Sequence, residues 1–179
     1  MKRSVVLITI AGAFAASVAN ADILLTIDTT NPAAVVISAT SGLSAVTASN
    51  SSYGLQLFDA LSAPAANSGV FGAQSLAGAN GGRVQNYVFG FVGTANIGIT
   101  GPGNQPNNYI AGTQAFVGSW TGNLSFLSFA PAGTIGDIRF YGVNSVDTGI
   151  VLGQYQIVPA PGAVAVLGFA GLVATRRRR

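Results

Sequence analysis

The sequence contains no histidine, no cysteine and no glutamate, and its only lysine is Lys2. Those absences remove Ser-His-Asp and Cys-His hydrolysis, imidazole acid–base catalysis and thiolate or imidazole zinc sites. Schiff-base chemistry goes with them outside the first few residues. No disulfide can form, so packing and backbone pairing carry the fold. Charged residues make up only 7% of the chain. Gly101-Pro-Gly103 lacks the glycine spacing and the lysine of a phosphate-binding loop. Aspartate is the one catalytic side-chain type left in number, at Asp22, Asp28, Asp59, Asp137 and Asp147.

What charge there is sits mostly at the two ends. Met1-Lys2-Arg3 precedes an apolar run from Val5 to Val18 and the small-residue pattern Ala19-Asn20-Ala21. That order predicts a secretory signal helix over 1–21, cut by signal peptidase after Ala21 to leave Asp22 first. At the other end, Pro159-Ala160-Pro161-Gly162 is followed by apolar or glycine residues from Ala163 to Ala174 and then by Arg176, Arg177, Arg178 and Arg179. Pro159 and Pro161 lack backbone donors, so regular structure from the preceding chain stops there. Twelve helical residues span roughly 18 Å at about 1.5 Å each, short of a ~30 Å hydrocarbon core. The arginines compensate, because a cationic cluster beside an apolar segment stays cytoplasmic and its long side chains snorkel to the interface. The expected topology places the middle of the chain outside the cytoplasmic membrane.

The tail resembles the PEP-CTERM sorting signal of bacteria, which joins a Pro-Glu-Pro-like motif, a short transmembrane helix and a terminal arginine cluster. Here Ala160 stands at the position of the glutamate. The resemblance covers the last twenty-two residues and implies recognition and cleavage by an exosortase. It also implies an association with exopolysaccharide-producing cells, and says nothing of how residues 22–158 fold.

Between Asp22 and Val158 only Arg83 and Arg139 oppose the five aspartates, a net charge of −3. A body of that sign does not neutralise phosphates, so nucleic acid is not an expected partner. Short runs of branched and aromatic residues separated by turn residues predict strands over 22–28, 34–39, 53–59, 83–92, 95–100, 113–120, 123–129, 134–143 and 149–158. Thr121-Gly122 reads as a hairpin turn, 60–82 as a long excursion with little regular structure, and 101–108 as a loop. The pattern predicts an all-β chain: one antiparallel β-sandwich or jelly-roll-like domain over 22–158, between the signal helix and a short transmembrane helix in 159–179.

No pair of aspartates is singled out for glycoside hydrolysis, and none lies in a recognisable calcium loop, although their oxygens are the ligand type calcium takes. Trp120 and the one-sided stripe Tyr87, Phe89, Phe91 are either core or exposed platforms for stacking sugars; bulky rings favour core in a chain so poor in other large side chains. The leading expectation is an exported surface or matrix protein without catalytic activity. A lectin-like polysaccharide-binding module using Trp120 is the alternative, and an aspartate-based glycoside hydrolase the third reading.

Overall fold

A computed structural model describes residues 21–50, 54–66, 68–81, 84–101, 107–141 and 147–158. The signal and transmembrane helices, Ala19, the Pro159–Gly162 motif and Arg176–Arg179 lie outside the described residues. Among the described residues no helix is long and apolar enough to cross a membrane. The described residues are all-β, as their runs predict. Their strands are β1 (Ile23–Asp28), β2 (Val35–Ala39), β3 (Ala48–Asn50), β4 (Leu55–Leu57), β5 (Gly69–Phe71), β6 (Ala73–Gln74) and β7 (Ala77–Gly78). They continue with β8 (Tyr87–Gly90), β9 (Ile97–Thr100), β10 (Asn107–Tyr109), β11 (Phe116–Val117), β12 (Ser119–Gly122), β13 (Ile135–Tyr141) and β14 (Asp147–Val158). One 3-10 turn among the described residues, Pro32–Ala34, is capped by the Asn31 side chain, which accepts from Ala33 N–H.

Ten strands form one sheet in the order β5-β8-β9-β4-β13-β14-β1-β2-β12-β6. Its two ends, β5 and β6, are separated in sequence only by Gly72. The stretch 69–78 therefore pairs on both sides. One side meets 84–90, through the β5–β8 ladder, Gly72 N–H to Asn86 O, Gln85 N–H to Leu76 O and the Ala77–Val84 bridge. The other side meets 116–122 through β6–β12 and β7–β11. The sheet thus curls nearly closed, which leaves few free edges.

One pairing departs from the expected antiparallel arrangement. β1 runs parallel to β14, Ile23 opposite Gln154 and Asp28 opposite Val158, while every other ladder among the described residues is antiparallel. The first residues after the expected cleavage site thereby form a central strand, fixed at Asp22 by bonds from Gln154 N–H to its carbonyl and from Leu43 N–H to its carboxylate. The described residues also form fourteen strands, most of them short, against the nine predicted.

Strand alternation sorts side chains into inner and outer rows. Val88, Ile99, Leu55 and Phe140 lie opposite one another across four strands, as do Gly90, Ile97, Leu57 and Ile138; all are buried. With Leu25, Ile27, Val35, Ile37, Trp120, Leu152, Tyr155 and Ile157 they make one interior core.

Three local expectations need correction. Residues 60–82 are not an unstructured excursion, because β5, β6 and β7 within them close the sheet. Asn123–Phe129 is a turn, with Leu127 N–H bonded to Leu124 O and the Asn123 side chain accepting from Ser125 N–H. Leu124 and Leu127 plug the interior from that turn. Thr121-Gly122 lies within β12 and turns nothing.

Tyr155 carries a pH-dependent contribution. Its ring is fully buried and its hydroxyl donates to Phe58 O. Burial foremost, then the charges of Asp59 and Asp137, push its pKa well above the ordinary tyrosine value of about 10. Above pH ~10 the unfolded tyrosine ionises while the folded one keeps its proton, so the folded state binds more protons and stability falls as pH rises. The slope reaches at most about 1.4 kcal/mol per pH unit. Urea unfolding from pH 8 to 11.5 should show a steeper decline for the native chain than for Tyr155→Phe. Equal slopes would remove Tyr155 as the source.

Candidate functional site

The stripe Tyr87, Phe89, Phe91 does share one face, but it is the outer face. Its alternates Val88 and Gly90 point into the core, where a Cβ on Gly90 would come within 2.3 Å of Ala65 Cβ. The interior is already filled there by Ala65 and Leu127, so the backbone must approach closely and the rings are turned outward.

The outer rows then assemble an aromatic surface. One row runs Phe71, Tyr87, Thr100; the next runs Gly69, Phe89, Gly98, Gln56, Arg139. Ring centroids follow one another at 4.6 Å for Phe71–Tyr87, 5.6 Å for Tyr87–Phe89 and 5.0 Å for Phe89–Phe91. Tyr141 closes the run edge-on against Phe91 at 5.2 Å. Exposure falls steadily along it: Phe71 is 71% exposed, Tyr87 and Phe89 are half-buried, and Phe91 and Tyr141 are buried. The inner end anchors the outer end.

Glycines flank these rings because nothing larger fits. A Cβ at Gly98 would lie 2.3 Å from Phe89 Cζ, and one at Gly69 would lie 2.5 Å from Tyr87 Cζ. The rings therefore lie across their neighbouring strands as a low shelf.

Beside the shelf, Arg139 pairs with Asp137 at 2.8 Å and its guanidinium sits 4.3 Å from the Phe58 ring centroid. Gln56, 5% exposed, has a side-chain oxygen with no hydrogen-bond partner among the described residues.

Trp120, the tryptophan read as a stacking platform in the lectin-like alternative, is fully buried, and its Nε1–H donates to Asn86 O at 3.2 Å. It offers no face to a ligand. The reason is the sheet closure: Gly72 and Gly122 lie against its indole, where a Cβ on either would approach within 2.5 and 2.4 Å.

The aspartates are dispersed or engaged. Asp22 accepts from Leu43 N–H, Asp28 caps its own turn through Thr30 N–H, and Asp137 holds Arg139. Asp59 occupies a left-handed turn position, φ 55°, with its N–H bonded to the Asn96 side chain. The charges of Asp59 and Asp137 both act on the buried Tyr155 hydroxyl. Among the described residues no group of three or more acidic side chains could hold a metal ion. Comparisons with protein-family models, curated proteins and solved structures return no match.

Proposed function

We propose that the protein is an exported component of a bacterial cell surface or extracellular matrix, without catalytic activity, whose C-terminal segment is processed by an exosortase. The observation that carries this reading is where the sheet begins and ends. β1 starts at Ile23, directly after Asp22, β14 runs to Val158, directly before Pro159, and both are central strands of the described core. Cuts at those points would leave every described strand whole. Within this reading the curled sheet is a flattened, jelly-roll-like sandwich. The structural engagement of Asp22, Asp28 and Asp137 supports a non-catalytic body over an aspartate-based hydrolase.

A tail attached at Pro159 would also give the body a polarity. β14 pairs with Tyr141 at Asp147 and with Asp28 at Val158. Bulges shorten β14 between those points: on β13, six residues part the Tyr141 pairing from that of Ile135 with Gln156, roughly 20 Å at about 3.3 Å per residue. Tyr141, at the inner end of the aromatic run, is thus carried far from Pro159.

Intact-mass spectrometry of the protein recovered from exosortase-containing cells tests the reading. The mature chain should begin at Asp22 and lack Arg176–Arg179. A chain that keeps all four arginines in such cells would sink it.

A further inference from the structure

We propose that the outer shelf of Phe71, Tyr87 and Phe89 binds an uncharged polysaccharide chain, each ring stacking against the C–H face of a successive sugar. The proposal rests on the exterior placement of the body given above and needs nothing from the tail.

Four features point to that occupant. An outer sheet face meant only for water carries polar side chains, whereas this one carries three adjoining rings with the outermost 71% exposed. The rings adjoin one another with centroids about 5 Å apart, a continuous apolar surface longer than one ring, which suits a polymer better than a single small molecule. A Cβ at Gly69 or Gly98 would collide with the rings, so these positions keep the shelf low enough for flat stacking. Tyr87 and the neighbouring Thr100 add hydroxyls at the rim, where the equatorial groups of a stacked sugar would lie.

Charge and area decide against the competitors. The body is net −3, and Arg139, the one cation among the described residues, is engaged with Asp137. Anionic polymers and anionic lipid surfaces are therefore not attracted. A stable dimer buries about 800 Å² per partner. Three aromatic side chains present at most ~150–250 Å² each, and two of these are half-buried. The shelf is too small for a second copy and adequate for a few sugars.

The test uses the full chain purified in a zwitterionic detergent. It measures retention on insoluble cellulose, chitin, starch and β-1,3-glucan, with alginate-coated beads as the anionic probe. Retention on at least one neutral probe should weaken tenfold or more in Phe71→Ala and vanish in Phe71→Ala/Tyr87→Ala. The buried substitution Trp120→Phe should leave it unchanged. Phe71 is exposed enough that its truncation keeps the fold, checked by circular dichroism and the urea midpoint. Three results would overturn the proposal: retention on no neutral probe, retention on alginate alone, or retention unaffected by Phe71→Ala in a folded chain. Concentration-dependent self-association abolished by Phe71→Ala, without glycan retention, would assign the shelf to a second copy instead. A failure of tail processing leaves retention untouched, so the two readings fail separately.

Discussion

Trp120→Ala should lower the free energy of unfolding by about 3–5 kcal/mol, the range for truncating a fully buried large aromatic. The indole has no exposed surface, and its removal leaves a void between two glycine positions that have no side chains with which to fill it. The lost Nε1–H bond to Asn86 O adds to the cavity term. Trp120→Phe keeps most of the volume and loses that donor, which predicts a drop of about 1 kcal/mol. Urea unfolding at pH 7 measures both. The pair also separates core from platform: a platform tryptophan would abolish polysaccharide retention on truncation while leaving the urea midpoint in place. As the chain's single tryptophan, it reports its own surroundings. Its emission should be blue-shifted, and neither acrylamide nor added glucan should change it appreciably until the protein unfolds.

The contrast between Trp120 and Phe71 shows where sequence pattern is informative. Alternation reveals which residues share a face, and it places Tyr87, Phe89 and Phe91 together as the structure does. It does not reveal which face is inside. Ring size argued for the aromatic set, but the opposite set, Val88 and Gly90, is the inner one, because Ala65 and Leu127 already occupy the interior below. Those fillers come from segments 23–25 and 37–39 residues away in sequence, beyond the reach of any local window. β1, β2, β13 and β14 were legible for a local reason: branched residues at alternate positions bounded by breakers. The parallel β1–β14 pair was not, since its partners lie over 120 residues apart and nothing in either strand encodes the other's direction. Phe71 lies in an Ala-, Ser- and Gly-rich stretch that carries no strand pattern of its own. A single exposed phenylalanine beside two glycines is a weak signal until the neighbouring strand sets Tyr87 against it.

The same stretch holds the second large effect. Gly72→Val should destabilise the fold by about 3 kcal/mol or more, at or beyond the upper end of ordinary overpacking. A Cβ there would sit 2.3 Å from Thr121 O and 2.5 Å from Trp120 Cε2. One obstacle is backbone in a paired strand and the other is a rigid buried ring, so neither can yield cheaply. Relief requires β6 to separate from β12, which breaks the only main-sheet ladder joining that stretch to β12. The nearly closed sheet would then open and present unpaired strand groups, a template for edge-to-edge association. The expected outcome is a lowered urea midpoint together with concentration-dependent light scattering under mild destabilisation. Gly81→Ala is the matched control: its φ of 86° is unfavourable to alanine, but a Cβ there meets nothing within 4 Å. It should cost about 1 kcal/mol and leave the protein monodisperse. Because Gly72 and Trp120 touch, their effects should not add. In Trp120→Ala the indole obstacle is gone, so the extra penalty of Gly72→Val should shrink to the backbone clash with Thr121. Full additivity in the double-mutant cycle would mean that the closure does not depend on this packing.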